Sequence, residues 1–289
     1  MPPNVRRALL HSQGIAPYSC GLFHSLNQRI DSKFPRSVAT FHDLFVLTGE
    51  YSTPEFRKRF AAQARAAAER AGLLIAVSGF TANQIVELLG VERSRIRVIH
   101  HGVNVPGPGR GHGVRRNIIL TVGALQKRKN IIRLVEAFER TPPDWKLWIA
   151  GSQGYGAEEA MLAIRASPRA HDIELLGYVT AERLETLYQQ AKIFAFPSLD
   201  EGFGMPVLDA MAHGIPVIAS NGSAISEVAG DAALLVDALS SEAIGEGLRV
   251  LTGDEAVRTQ FVARGLTRVT KFSWDEAIAK TWAVYGELL

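Results

Sequence analysis

From residue 118 onwards, short apolar runs alternate with helical patterns, and that alternation constrains the fold more than any other property of the chain. The runs fall at 118–122, 146–150, 173–176, 193–196, 215–219 and 233–236. Between them apolar residues recur at helical spacing, as Ile131, Leu134, Val135 and Phe138 do. Short apolar strands separated by helices are covered on both faces, so the pattern predicts a parallel, doubly wound sheet. In such sheets ligands bind beyond the carboxyl ends of the strands. The loops that follow strands are therefore where a site is expected.

The first half reads as α/β as well, more sparsely. Ser37 to Phe41, Leu73 to Val77 and Arg97 to Ile99 are strand candidates. Thr53-Pro54-Glu55 supplies a cap and an N1 proline for a helix running to about Arg70. Thr81-Ala82-Asn83-Gln84 reads as a capping box, and Gly90 ends that helix. Between the halves, Asn104 to Gly113 holds two prolines and four glycines in ten residues and cannot continue a regular element. The expected division is a first domain over 1–103, a linker over 104–116, a second domain over 117–272 and a terminal helix over 273–289.

A hydrophobic fraction of 47% with 21% charged residues describes a globular chain with ample core material. The single cysteine, Cys20, excludes an internal disulfide and fits a reducing compartment. No run approaches the roughly 18 apolar residues of a membrane span, and Met1 to Arg7 lacks the apolar core of a secretory signal. Charge is unevenly spread: residues 1–116 carry 16 Lys/Arg against 7 Asp/Glu, hence +9, and residues 117–289 carry 16 against 22, hence −6. A basic first half suits an acidic partner such as a lipid phosphate or an anionic membrane surface, or is simply a solvated face. No nucleic-acid-binding motif accompanies it, so no nucleic-acid partner is expected.

Chemistry concentrates in two loops. Asp200-Glu201-Gly202-Phe203-Gly204-Met205-Pro206-Val207-Leu208-Asp209 follows one apolar run and opens a probable helix. Its glycines let backbone approach a ligand, and the helix start offers N–H groups and a positive dipole end to an anion. The two carboxylates, eight positions apart, can accept from sugar hydroxyls. The bland reading is a helix N-terminus with an acid that favours the dipole and a solvated Asp209. The second loop, Gly123 to Asn130, sets Lys127, Arg128 and Lys129 immediately before a helix. Cations there oppose the dipole, so an anion is expected among them. A basic solvated turn is the alternative. Gly151-Ser152-Gln153-Gly154-Tyr155-Gly156 has the wrong glycine spacing for a dinucleotide fingerprint. His100 and His101 are adjacent, face opposite sides if extended, and are not expected to bind a metal.

The acidic segment resembles the Glu-x7-Glu signature of the retaining glycosyltransferases of family 4, with Asp209 in place of the second glutamate. The resemblance covers residues 20–289 and implies a GT-B-like α/β fold of two Rossmann-like, doubly wound parallel-sheet domains. It implies that Glu201 contacts the donor sugar and Asp209 the ribose. Gly202, Phe203, Gly204, Met205, Val207 and Leu208 would surround sugar and phosphate. Arg128 and Lys129 would hold the leaving diphosphate beside Gly123, with Lys127 a bystander. Tyr178 and Val179 lie where the family receives the base, and Thr40-Phe41-His42-Asp43 resembles its His-Asp motif, with His42 steadying the sugar. Ser78 matches a family serine or is a turn residue, and the helix from about Ser273 crosses back to the first domain or is an ordinary terminal helix.

The activity so implied is metal-independent transfer of a hexosyl unit with retention. No cofactor is expected, since the nucleotide-sugar donor is a substrate, and the acceptor would be a glycan or a lipid-linked molecule. Arg128-Lys129-Asn130 resembles mannosyl-transferring members and favours GDP-mannose, with UDP-sugars left open. The location implied is cytoplasmic, peripheral at the inner face of the membrane where the basic half meets anionic lipid. Only about 40 residues precede the His-Asp motif, without the family's first strand and glycine-rich loop, so the first domain is expected to be incomplete. That shortness and Asp209 keep open a non-catalytic sugar-nucleotide-binding protein, and a sugar-nucleotide epimerase is a further alternative.

Overall fold

In the computed structural model, which describes residues 21–107 and 115–289, strand and helix alternate along both halves of the chain. Cys20 and the part of the expected linker from 108 to 114 lie outside the described residues. The chain divides into two compact units, Met1–His100 with Asp275–Leu289, and His101–Trp274.

In the first unit β1 (Phe23–Ser25), β2 (Ser37–Phe41), β3 (Leu73–Ala76) and β4 (Ile96–Val98) form a parallel sheet in chain order. The helices between them are α1 (Phe45–Thr48), α2 (Pro54–Arg70) and α3 (Gly79–Leu89). Thr53 caps α2 by accepting from the Phe56 N–H. The capping box expected at Thr81 is corrected: the cap is Ser78, whose hydroxyl accepts from the Thr81 N–H at 2.9 Å, so α3 begins three residues earlier. Serine outcompetes there because its extended backbone aims the short hydroxyl at the first free amides. On one face of the sheet, Val38, Leu73, Ile75 and Ile99 pack against Ala277 and Val284 of the terminal helix Trp274–Gly286.

The second unit holds six parallel strands: β5 (Arg116–Val122), β6 (Lys146–Ala150), β7 (Ile173–Gly177), β8 (Ala191–Phe196), β9 (Val217–Ser220) and β10 (Ala233–Val236). Their order across the sheet is β10-β9-β8-β5-β6-β7. The order reverses between β5 and β8, which pair directly, and a doubly wound sheet binds ligands at such a switch point. The run expected as a strand from 215 begins at Val217, because Pro216 has no N–H to donate and instead accepts from Phe194 through its carbonyl. The crossover helices are α4 (Ile131–Phe138), α5 (Ala157–Ala166), α6 (Ala181–Gln190), α7 (Met205–Ala212) and α8 (Ser223–Ala229). α9 (Ser241–Gly253) and α10 (Glu255–Val269) follow, and Trp274–Gly286 is α11. Ile119, Leu147, Ile149, Ile193 and Ile218 of the sheet are at most 1% exposed beneath Leu134, Phe138 and Leu248 of α4 and α9.

Candidate active site

The loops carrying the two sequence motifs leave the carboxyl ends of β5 and β8, the strands on either side of the switch point. Their convergence follows from topology, since residues 72 apart in sequence become neighbours only when those strands pair.

After β5 the backbone turns at Gly123 (φ +147°), whose N–H donates to the Ala150 carbonyl. A Cβ on Gly151 would lie 2.0 Å from the Gly123 carbonyl oxygen, so only glycine lets the loops after β5 and β6 approach so closely. Lys127–Lys129 form one 3₁₀ turn, and Asn130 then takes the left-handed conformation (φ 59°, ψ 35°) before α4. Asn130 is 4% exposed, and its side-chain amide donates to the carbonyls of Pro197 (3.1 Å) and Ala238 (2.7 Å). The Leu199 N–H donates to the Arg128 carbonyl at 2.7 Å. These bonds lock the basic turn to the loop that follows β8.

The Glu201 carboxylate lies against these cations. Its Oε1 accepts from Lys129 Nζ at 2.5 Å and from Arg128 Nη1 at 2.6 Å. Arg128 Nη1 also donates to the Asp200 carbonyl at 3.1 Å, and Lys129 Nζ lies 4.5 Å from the centre of the Phe196 ring. All three charged side chains are nearly buried. Burial alone would push the Glu201 carboxyl up, but the charges of Lys129 and Arg128, with their hydrogen bonds, outweigh it and hold the group below its ordinary value. Lys127 is exposed; its backbone N–H donates to the Tyr155 carbonyl and its own carbonyl accepts from the Asn130 N–H.

Gly204 (φ +104°) precedes α7, which opens Met205-Pro206. The expectation that the first amides of this helix face an anion is corrected in part. Pro206 has no N–H, and that of Val207 turns back to the Gly204 carbonyl at 3.0 Å. Val207 and Leu208 are fully buried, so their side chains serve the core rather than a ligand. Phe203 is 5% exposed and packs edge-on against His101 and Phe272.

Asp209 lies one turn further along α7. Burial lifts its carboxyl from the usual 3.8 to about 6, with the His213 charge opposing the rise. His213 holds the end of the helix: Nδ1 is 2.7 Å from the Asp209 carbonyl, Nε2 is 2.8 Å from Glu185 Oε2, and the ring stacks on Tyr188. Tyr178 follows β7 and is 83% exposed, beside the Gly177 carbonyl that accepts from the Gly151 N–H. Val179 continues the same turn. His42 belongs to the first unit, just past β2, where Nε2 donates to the Leu26 carbonyl at 2.8 Å. Glu201, Arg128 and Lys129 are thus brought into contact, with Gly123 against Lys129, where a Cβ would lie 3.0 Å from Lys129 Cε. Sequence reasoning assigned no role to Asn130, Phe196 or the Glu185–His213 pair. An asparagine between a basic turn and an apolar helix was the one legible signal, since Asn tolerates the left-handed conformation.

Two parallel-sheet α/β units, the second doubly wound with two cations and an acid at the carboxyl ends of its switch-point strands, match the GT-B architecture. Residues 109–268 match the model of the family described as glycosyl transferases group 1, and residues 6–105 match glycosyltransferase family 4. The chain belongs to the group 1 glycosyltransferases and is a glycosyltransferase. It is 29% identical to O-antigen chain mannosyltransferase B of Escherichia coli over 96% of this chain and 78% of that protein. It is 27% identical to the serotype-specific mannosyltransferase WbdA of Escherichia coli over 83% of this chain, spanning only 32% of that longer protein. Among solved structures, sucrose-phosphate synthase from Thermosynechococcus elongatus shares the fold with a TM-score of 0.80 at 22% identity, covering 100% of this chain and 80% of that one.

Proposed function

We propose that this glycosyltransferase moves a hexosyl unit, with mannose from GDP-mannose favoured, from a nucleotide-sugar to a glycan or lipid-linked acceptor in cell-surface polysaccharide synthesis, with retention. The observation that carries this reading is the cluster of Arg128, Lys129 and Glu201 at the switch point. Two fixed cations suit a leaving diphosphate, and an ionised carboxylate beside them suits sugar hydroxyls. The mannosyltransferases of Escherichia coli among the relatives support mannose and an O-antigen-like product.

In the reaction, the bond from the anomeric carbon to the phosphate oxygen breaks as the acceptor oxygen bonds on the same face. The acceptor proton leaves to the donor phosphate. Arg128 and Lys129 neutralise the charge that develops on the diphosphate, which removes the need for a metal. Glu201 orients the sugar, Asp209 accepts from the ribose, and Gly202 to Met205 line sugar and phosphate. Tyr178 and Val179 border the base, and His42 steadies the sugar.

The reading extends to location. Helix α2 exposes Lys58, Arg59 and Arg65 with Phe56, a composition that suits peripheral contact with an anionic cytoplasmic leaflet. No helix among the described residues is long and apolar enough to cross a membrane.

Calorimetric titration of the 289-residue chain with GDP, UDP, GDP-mannose and UDP-glucose, without added metal, tests the site. Tighter binding of the guanosine compounds supports the mannosyl reading. Preference for uridine compounds moves the donor to a UDP-sugar, and no binding by folded protein removes the donor site altogether.

A further inference from the structure

Glu201 pairs with the same two cations that a donor diphosphate is proposed to bind. The carboxylate already holds Lys129 Nζ at 2.5 Å and Arg128 Nη1 at 2.6 Å on a single oxygen. The Arg128, Lys129 and Glu201 side chains are 14%, 10% and 11% exposed, so water offers little substitute if any of them loses its partner. A phosphate that binds the two cations competes with the carboxylate for their charge and for the N–H groups that point at it. A nearly buried carboxylate set free then requires new donors, or its desolvation stays uncompensated.

The nucleotide-sugar brings those donors with it. Its hexose is bonded to the terminal phosphate, so sugar hydroxyls arrive within one residue's reach of the phosphate oxygens. The exchange is then balanced: phosphate takes Arg128 and Lys129, and hydroxyls take Glu201. A free nucleoside diphosphate, which is the product after transfer, offers phosphate oxygens that only accept at neutral pH. It cannot satisfy the displaced carboxylate.

We propose that Glu201 is a specificity-determining residue that competes with the nucleotide's diphosphate for Arg128 and Lys129, so that the sugar-bearing donor is retained and the nucleoside diphosphate is expelled after transfer. The proposal rests on the donor site argued above and adds a direction to it. The acid that recognises the sugar also drives product release by returning to the cations once the sugar has gone. The Asp200 carbonyl also accepts from Arg128 Nη1, and Asp209 lies eight residues on from Glu201, one turn into α7.

The test is calorimetric titration of the whole chain and its Glu201→Gln variant with GDP, UDP, inorganic pyrophosphate and GDP-mannose. Glutamine keeps the shape and removes the competing charge. The expected result is at least about tenfold tighter binding of pyrophosphate and of the preferred nucleoside diphosphate, with the nucleotide-sugar unchanged or weaker. Unchanged or weaker diphosphate binding in a folded Glu201→Gln variant overturns the proposal. Lys129→Ala separates the two layers. If it leaves GDP, UDP and pyrophosphate binding unaffected, the donor site itself is misplaced. If it weakens them while Glu201→Gln fails to tighten them, only the competition falls. The wild-type chain gives a check that needs no variant: the nucleoside diphosphate should bind more weakly than its own nucleotide-sugar, and equal or tighter binding overturns the proposal.

Discussion

Lys129 and Asp209 carry opposite electrostatic lessons. Lys129 sits between an acid and an aromatic face, where the proposed reaction develops charge on the leaving diphosphate. Lys129→Ala removes one of two such cations and should lower kcat by about 10²–10³-fold, measured with saturating donor in a transfer assay. Wild-type kcat would take the residue out of the mechanism. Asp209 is instead penalised by its surroundings, with a pKa near 6 against 3.8. The folded state therefore binds a proton more tightly than the unfolded chain, and ionising Asp209 costs stability as pH rises from about 4 to 6, after which the loss is constant. Two pKa units are worth about 3 kcal/mol, and partial exposure reduces that to about 1–2 kcal/mol. Asp209→Asn should match the wild type at pH 4, exceed its stability by that amount at pH 8, and bind nucleotide more weakly. Urea unfolding at the two pH values, paired with GDP titration at pH 8, checks both halves. A solvated Asp209 would change neither.

Among elements, the turn from Lys127 to Asn130 has the tightest construction in the site. Asn130 buries its amide against two carbonyls, one in the loop after β8 and one after β10, while its backbone is left-handed. Asn130→Ala loses both bonds and imposes the left-handed penalty, so it should destabilise the second unit by about 3 kcal/mol; Asn130→Gly, free of that penalty, by about 2 kcal/mol. Urea unfolding followed through Trp145 and Trp148 fluorescence measures the difference, and equal losses would show that the backbone conformation is unstrained. The elements of this unit were legible because β5, β6, β8, β9 and β10 are apolar and bounded by turns. β1 was not, since Phe23-His24-Ser25 is three residues long and its His24 is polar, satisfied by Tyr285 and Thr40 only in the folded unit. The Ser78 cap lost out in the sequence reading to a later residue of the same chemistry. Loop glycines and clustered charge announced the site. The Lys129–Glu201 contact and the burial of Asp209 could not be read, because both depend on pairing distant strands.

At the scale of the whole molecule, the chain leaves its first unit at His100, builds the second, and returns to the first from Asp275. The returning segment completes the first unit's core. Ala277 and Val284 cover one face of β2 and β3, Tyr285 hydrogen-bonds His24 at 2.6 Å, and Glu287 pairs with Arg97. No local signal in the last 15 residues says which unit they serve; a half-apolar helix fits either, and only the partners decide. Removing residues 275–289 while keeping Trp274, which packs on His101 of the second unit, should therefore act selectively. The first unit loses two buried side chains, a buried face of its sheet and a hydrogen bond to His24, about 3–5 kcal/mol together. The second unit loses no core residue. Hydrogen exchange on the truncated chain should show β2 and β3 amides losing most of their protection, with β5 and β8 protected as before and nucleotide affinity within about twofold, since a neutral surface change is worth under about 0.5 kcal/mol. Loss of protection at β5 and β8 as well would mean that the second unit depends on the first for its stability, and that the donor site cannot be assigned to one unit alone.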